Sequence, residues 1–270
     1  MIAVLSAMLW WEHALLETTA WRGVPIAVLL AVLLVGSFHE LSRMAAKSQI
    51  RMPPFAGATA ALAIATVPLW GRLLVTGTAP MSLALTVTGL GLLAVFIEQM
   101  VRARAEDALR CVACTVFAVA YLGICGALLI DLRVAHRGVG VFLMVIAAAK
   151  GTDIAAYFTG KTIGRHKLIP WLSPGKTWEG LAGGLVGGTA LALLARWICG
   201  VAVLGLWQTV VFGLIVGLFG QVGDLCESLL KRSVKLKDSG AVVPEFGGVL
   251  DLLDSLLLSA PVAQLLLMVM

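Results

Sequence analysis

The stretch DLCESLLKRSVKLKDSGAVVPEFGGVLDLLD, residues 224–254, is a charged segment between two apolar ones. Residues 197–223 and 255–270 carry no charged side chain, in a chain that is 60% hydrophobic and only 13% charged. Holding a charged side chain at bilayer depth costs about 2.5–3.5 kcal/mol, so such residues are rarely kept without a use. The acidic residues at both ends of this stretch therefore predict a functional site.

The first acidic residues of the stretch have a helical spacing. If residues 220–232 form a helix, its turns bring Asp224, Glu227, Ser228 and Lys231 onto one face. Two carboxylates, a hydroxyl and an ammonium group would then point in the same direction, as a polar site in an apolar protein requires.

Asp251 and Asp254, three positions apart, open the next apolar segment. Carboxylates that converge from two helix ends suit Mg²⁺, which prefers one or two carboxylates together with phosphate oxygens and water. The basic residues between the acidic pairs suit an anionic, phosphate-bearing substrate. Gly247 and Gly248 let the backbone turn tightly or approach a ligand closely. The alternative is an ordinary cytoplasmic loop whose lysines set the topology and whose carboxylates cap helices.

The composition indicates a polytopic α-helical membrane protein. The chain has 270 residues and a mean hydropathy of +0.99. Its uncharged stretches 73–97, 111–130 and 197–223 each reach the length of about 20 apolar residues that a span needs. These stretches are continuously apolar and not alternating, which argues against a β-barrel. The net charge of +5 is attributed to topology and anionic headgroups, so no nucleic-acid partner is expected.

An all-α bundle of about 8–9 membrane-spanning helices is predicted, with cytoplasmic polar loops, as one integral membrane domain over 1–270. The N-terminal helices, 1–130, are expected to be mainly scaffold, and 138–270 the catalytic half. The predicted spans are 1–20 (a weak one), 24–42, 55–75, 80–97, 111–130, 138–158, 178–197, 203–223 and 249–270.

Basic residues concentrate in every second loop of this arrangement. The alternate loops together carry five basic residues. The basic loops, with 14 lysines and arginines in all, are 43–54, 98–110, 159–177 and 224–248. Because cytoplasmic loops are enriched in lysine and arginine, these four loops are predicted to be cytoplasmic. We therefore expect a multi-pass protein of the inner (cytoplasmic) membrane with its active site facing the cytoplasm.

A second polar cluster occupies residues 150–179. Lys150 and Asp153 are three positions apart near a helix end, where they form either a structural ion pair between helices or part of a polar cavity. The sequence Gly175-Lys176-Thr177 is not a P-loop, because the position of that motif's first glycine holds Pro170. A basic loop with glycines can still bind phosphates.

Helix signals surround the same cluster. Thr177 can cap the helix that follows it, with Glu179 favoured in the first turn by the helix dipole. Further along, the glycines Gly183, Gly184, Gly187 and Gly188 are spaced for close helix packing in lipid. These glycines predict packing and not chemistry.

Both clusters share fixed spacings with a known family. The matching downstream positions are Ser228, Lys231, Arg232, Lys237, Asp238, Gly240, Pro244, Gly247, Gly248, Asp251 and Asp254. The matching upstream positions are Asp153, Tyr157, Gly160, Gly164, Lys167, Ser173, Pro174, Lys176, Thr177, Glu179 and Gly180. Over about the C-terminal half, this pattern resembles that of the phosphatidate cytidylyltransferases (CDP-diacylglycerol synthases). Phe246 and Leu252 depart from it, where the family has histidine and arginine.

The resemblance implies a membrane-bound nucleotidyltransferase of phospholipid biosynthesis. Its implied substrates are CTP and phosphatidic acid, joined in the lipid bilayer to give CDP-diacylglycerol and pyrophosphate. Mg²⁺ is the implied cofactor, alone or with a second cation, and a homodimer is the implied assembly. Because the inferred metal ligands remain, we expect an active, divergent member.

The resemblance also implies roles for individual residues. Asp224 and Asp251 are the implied metal ligands, and Glu227 and Asp254 are weaker candidates. The implied catalytic residues are Asp224, Asp251, Ser228, Lys231, Arg232, Lys237 and Asp238. The implied substrate-binding residues are Asp153, Lys167, Ser173, Lys176, Thr177, Glu179, Gly247 and Gly248.

Three other functions remain as alternatives. A CTP-dependent polyprenol or lipid kinase would share a basic, metal-dependent membrane site but release CDP. An inactive paralogue that binds nucleotide or lipid would fit the changes at Phe246 and Leu252. A transporter could use Lys150, Asp153 and Asp224 as an ion path, although the polar residues concentrate in loops and not at mid-bilayer, where transporter sites lie.

Overall fold

A computed structural model describes residues 23–74, 80–102, 105, 107–134, 138–235 and 248–270. These residues are almost wholly helical, which confirms the predicted all-α bundle. Within the described part of the chain, seven helices are long and apolar enough to cross a membrane. The protein is therefore a multi-pass membrane protein. The weak first span predicted for 1–20 lies outside the described residues.

The first of two compact units comprises Met1–Val134 and Asp238–Leu250. Its helices are α1 (Val24–Lys47), α2 (Pro54–Ala65), α3 (Val67–Leu74), α4 (Pro80–Val101), α5 (Ala108–Ala118) and, after a π-helical turn over Val119–Ile124, α6 (Cys125–Val134). The stretch from α5 to α6 makes one continuous apolar span of 27 residues. Buried side chains such as Leu34, Phe38, Ile64 and Leu122 form the core of this unit.

The span predicted for 55–75 is not one continuous helix, because this segment forms the two shorter helices α2 and α3. Pro68 has no N–H to donate, and its ring clashes with the carbonyl four residues earlier. The chain accordingly leaves α2 at Thr66, whose N–H still donates to the Leu62 carbonyl at 3.0 Å. Leu69 N–H then donates to the Thr66 carbonyl at 2.9 Å and begins α3.

The second unit comprises Ala135–Lys237 and Asp251–Met270. Its elements are α7 (Gly138–Ile163), β1 (Lys167–Ile169), β2 (Ser173–Thr177), α8 (Trp178–Ile198), α9 (Leu206–Ser233) and α10 (Leu250–Val269), whose first residue belongs to the first unit. Helix α9 continues without interruption through the predicted helical segment 220–232.

The segment 159–177, predicted to be a polar loop, contains the end of α7 and a small antiparallel hairpin. Lys167 pairs with Thr177, and Ile169 pairs with Ser173. Leu172 N–H donates to the Ile169 carbonyl at 3.1 Å, which closes a turn with Pro170 at its second position. Proline is favoured there because its fixed φ suits the turn. The hairpin gives Lys176 and Thr177 defined positions.

Helices α7, α8 and α9 pack closely through glycines, as the spacing of the glycines of α8 predicts. A Cβ atom on Gly188 of α8 would lie 2.6 Å from the Ala148 carbonyl of α7, and one on Gly184 would lie 2.8 Å from the Thr152 carbonyl. On α9, a Cβ atom on Gly213 would lie 3.0 Å from Thr189 Cα. Small residues allow this approach, since dispersion and not hydrophobicity drives helix association in lipid.

We expect Gly188→Ala to destabilise the protein by about 1–3 kcal/mol, because an added methyl group overpacks the α7–α8 contact. The measurement is thermal unfolding of the detergent-purified protein. Gly89→Ala in α4 is the matched control, since a Cβ atom there would meet nothing within 4 Å. Equal unfolding temperatures for the two variants would contradict this packing.

Candidate active site

Helices α7, α9 and α10 and strand β2 bring five carboxylates and three lysines together within the second unit. The members of this charged cluster are Asp153 and Lys150 on α7, Lys176 on β2, Asp224, Glu227 and Lys231 on α9, and Asp251 and Asp254 on α10. The helical spacing predicted for the residues from α9 is confirmed, and Asp251 lies in the first turn of α10 as predicted.

Lys231 joins carboxylates from two helices. Its Nζ atom lies 3.0 Å from Glu227 Oε1, one turn earlier on α9, and also pairs with Asp251 of α10. The Glu227 side chain is only 2% exposed. A carboxylate buried this deeply needs a paired cation, because uncompensated charge is costly in a low-dielectric interior.

Lys150 forms a second ion pair between helices. Its Nζ atom lies 3.1 Å from Asp254 Oδ1 on α10 and 3.8 Å from Asp153 Oδ2 on its own helix. Asp254 Oδ1 also accepts a hydrogen bond from the Ser255 N–H at 2.5 Å. Of the two alternatives stated above, Lys150 forms the ion pair between helices, and Asp153 lines the cavity described below.

Lys176 links the hairpin to the acidic residues of α9. Its Nζ atom lies 2.7 Å from Asp224 Oδ2 and donates to Gln221 Oε1 at 2.8 Å. The Gln221 amide donates in turn to Asp153 Oδ1 at 2.6 Å. Gln221, which the sequence analysis missed, is buried and connects Lys176 to Asp153. Its position one turn before Asp224, on the same face of α9, was the available signal.

Three carboxylates form what we call the acidic trio: Asp224, Glu227 and Asp254. One oxygen from each lies within 4.8 Å of the others. Glu227 Oε1 lies 3.0 Å from Lys231 Nζ, and Glu227 and Asp254 are both buried. Carboxylate oxygens are the ligands that Mg²⁺ prefers. The five carboxylates exceed the three lysines by two negative charges, so a divalent cation fits the donor set and the charge.

Asp251, predicted to be a metal ligand, is not one of the acidic trio. Its carboxylate pairs with Lys231 on the neighbouring helix. Asp251 therefore lies in the charged cluster and contacts the lysine that also pairs with Glu227 of the trio.

A cavity of about 490 Å³ opens beside the cluster, within the second unit. Three lysines, Lys161, Lys167 and Lys176, line it, and we call it the lysine-lined cavity. The sequence-predicted site residues that line it are Asp153, Lys167, Ser173, Lys176, Thr177 and Asp224. Three ammonium groups beside an acidic trio suit a polyphosphate bound together with a divalent cation.

Thr177 and Glu179 organise the start of α8. Gly180 N–H donates to Thr177 Oγ1 at 3.0 Å, which confirms the predicted N-cap. The Glu179 carboxylate accepts hydrogen bonds from the N–H groups of Arg165 and His166 at 3.1 and 3.2 Å, and contacts the His166 ring at 2.6 Å. Glu179 thus holds the entry to the hairpin and is not among the residues that line the cavity.

The remaining predicted residues fall into two groups. Ser228 is half-buried on α9, Arg232 donates from Nε to the Leu172 carbonyl of the hairpin at 3.4 Å, and Gly248 is buried just before α10. Outside the described residues lie Lys237, Asp238, Phe246 and Gly247.

A family model and several curated relatives match this chain. A family model described as the cytidylyltransferase family matches residues 1–270. Over 148 residues the chain is 38% identical to a phosphatidate cytidylyltransferase of Bacillus subtilis (strain 168), covering 54% of this chain and 55% of the relative. Over 128 residues it is 41% identical to a phosphatidate cytidylyltransferase of Brucella suis, covering 47% of each protein.

A further relative is named as an uncharacterized protein. Over 127 residues the chain is 41% identical to the uncharacterized protein YnbB of Escherichia coli (strain K12), covering 46% of this chain and 41% of the relative. The chain spans about half the length of the curated relatives it matches.

Proposed function

Because the chain belongs to the cytidylyltransferase family, we propose that it transfers the cytidylyl group of CTP to phosphatidic acid, giving CDP-diacylglycerol and pyrophosphate. The observation that carries this proposal is the acidic trio beside the lysine-lined cavity. The names of the relatives from Bacillus subtilis and Brucella suis support the same substrates.

In this reaction a phosphate oxygen of phosphatidic acid attacks the α-phosphorus of CTP. A new P–O bond forms as the bond to the bridging oxygen of the β-phosphate breaks, and pyrophosphate leaves with that electron pair. Both reactants are anions, so positioning and charge neutralisation provide most of the catalysis. When bound at the acidic trio, Mg²⁺, alone or with a second cation, supplies electrostatic stabilisation of the phosphoryl oxygens.

The lysines of the cavity are proposed to bind the phosphates of CTP. Lys176 lines the cavity and pairs with Asp224, which lines it too, so Lys176 can contact a phosphate and the cluster together. Gln221 and Asp153 orient Lys176 through their hydrogen bonds. Lys161 and Lys167 add positive charge to the lining of the cavity.

Other predicted contacts remain part of the proposal. Ser173 and Ser228 would donate hydrogen bonds to substrate oxygens, and Arg232 would meet a phosphate. Asp251 would hold Lys231 in place. Outside the described residues, Lys237, Asp238 and Gly247 keep the roles that the family resemblance implies.

The proposed location of the site is the cytoplasmic face of the inner membrane. The four basic loops support it, because cytoplasmic loops carry an excess of lysine and arginine. A water-soluble nucleotide would enter from the cytoplasm and the lipid from the bilayer. We also propose that residues 138–270 form the catalytic half of the protein. The proposed assembly is a homodimer.

A reconstituted assay tests this function. Detergent-purified protein is given CTP, phosphatidic acid and Mg²⁺, and pyrophosphate is measured while the lipid product is identified by mass. We expect CDP-diacylglycerol and pyrophosphate in equal amounts, and neither when any one component is omitted. Release of CDP with a phosphorylated lipid would indicate a lipid kinase, and inactivity of the folded protein would indicate a binding paralogue.

A further inference from the structure

Glu40 of α1 is a buried carboxylate that binds two backbone N–H groups. Glu40 is only 1% exposed. Oε1 accepts a hydrogen bond from Val249 N–H at 2.7 Å, and Oε2 accepts one from Leu250 N–H at 2.8 Å. All three residues belong to the first unit.

These two N–H groups stand at the beginning of α10. The first N–H groups of a helix have no acceptor within the helix, so a side chain or water must satisfy them. Neither Gly248 nor Val249 has a polar side chain that could do so. A carboxylate is the most favourable acceptor at this end, because the helix dipole and a charge-assisted hydrogen bond both favour it. Glu40 caps α10 from 209 and 210 positions away along the chain.

A second contact holds the same segment. One turn before Glu40, a Cβ atom on Gly36 would lie 3.2 Å from Val249 Cγ1, so the α1 backbone packs closely against Val249. Val249 is 8% exposed and Leu250 is fully buried. Packing and hydrogen bonding therefore fix the point at which α10 begins.

The helix that Glu40 caps also carries acidic residues of the charged cluster. Asp251 follows Leu250 directly, and Asp254, a member of the acidic trio, follows one turn later. Outer groups that orient metal ligands usually change metal affinity or activity by about 10–100-fold when they are lost. On the basis of the proposed function, we infer that Glu40 is a positioning residue that sets the metal affinity of the acidic trio by fixing the first turn of α10.

Glu98 provides a matched comparison in the same unit. Its Oε2 atom accepts a hydrogen bond from Ala56 N–H at 2.5 Å, near the beginning of α2, and its other oxygen pairs with Arg102 at 2.7 Å. Glu98 is thus also a carboxylate that caps a helix from another helix. Helix α2 carries none of the residues of the charged cluster, so loss of this cap should leave metal affinity unchanged.

The experiment measures binding of Mn²⁺, as a probe for the divalent site, by calorimetry on the detergent-purified full chain. In Glu40→Gln, one of the two acceptor oxygens becomes an NH2 group and cannot accept a backbone N–H. We expect its Kd for Mn²⁺ to rise about tenfold, and the Mg²⁺ concentration for half-maximal activity to rise equally. Glu98→Gln should stay within about twofold of the wild-type Kd.

A conservative variant separates positioning from general stability. Glu40→Asp keeps both oxygens on a shorter side chain, and its Kd should fall between those of the wild type and Glu40→Gln. If Glu40→Gln fails to fold, this variant decides the question. If a folded Glu40→Gln or Glu40→Asp variant binds Mn²⁺ with the wild-type Kd, this inference is overturned, whereas the proposed function is not. Absence of Mn²⁺ binding by the wild-type protein would overturn the proposed metal site and, with it, this inference.

Discussion

The Asp224→Asn variant is expected to lose about a thousandfold in kcat while it keeps its fold. A catalytic metal supplies several kcal/mol of transition-state stabilisation, and each 1.4 kcal/mol corresponds to a factor of ten in rate. Asp224 belongs to the acidic trio and also lines the lysine-lined cavity, so in the proposed mechanism its charge would act on both metal and substrate. The measurement is CDP-diacylglycerol formation at saturating CTP, phosphatidic acid and Mg²⁺.

The matched control for this variant is Asp107→Asn. Asp107 also pairs with a basic residue, Arg110 at 3.3 Å, but its side chain is 54% exposed and lies in the first unit. The Asp224 side chain is 36% exposed, so the folded protein should tolerate an asparagine at this position. Normal turnover by a folded, membrane-inserted Asp224→Asn variant would contradict the assignment of the acidic trio.

Lys231→Met is expected to have the largest effect on stability, about 3–5 kcal/mol, because it leaves a buried carboxylate without its cation. The Glu227 side chain is only 2% exposed, so little water reaches it. The measurement is thermal unfolding in detergent. Arg110→Met is the control, since it breaks an exposed pair worth at most about 1 kcal/mol. If the two variants lost the same amount of stability, burial of the Glu227–Lys231 pair would not explain the effect.

The double variant Glu227→Leu/Lys231→Met separates the structural role of this pair from its chemical role. Replacing a buried ion pair by apolar side chains of similar size is often neutral or stabilising, so the double variant should recover most of the lost stability. Asp251 is 25% exposed and keeps contact with water. Activity should remain lost, because the acidic trio has lost a member. Recovery of both properties would show that the pair is only structural.

The sequence predicted the apolar helices well but not where they end. Hydropathy marks the apolar part of a helix, whereas helical hydrogen bonding continues into polar sequence. Helix α7 runs to Ile163 and not to 158. Helix α9 continues past the end of its predicted span at 223, through the segment 220–232 that only the spacing of its polar residues indicated as helical. The break between α2 and α3 did have a local signal, Pro68, but the uniform hydrophobicity of 55–75 concealed it.

The residues of the site could be predicted more easily than their partners. Helical spacing indicates which side chains share a face, but not which helices meet. Lys150 and Asp254 form an ion pair although 104 positions separate them. Gln221 was missed because it carries no charge. Glu40 was missed because the N-terminal half has no recognisable motif, although a lone carboxylate within an apolar helix was itself a signal.

The most direct test of the central claim follows the phosphorus atoms of CTP. CTP is labelled with radioactive phosphorus at either the α or the γ position and is given to the purified protein with phosphatidic acid and Mg²⁺. Transfer of a cytidylyl group predicts that the α label appears in the lipid fraction and the γ label in pyrophosphate. The γ label in the lipid fraction, with the α label in released CDP, would contradict the claim and indicate a lipid kinase.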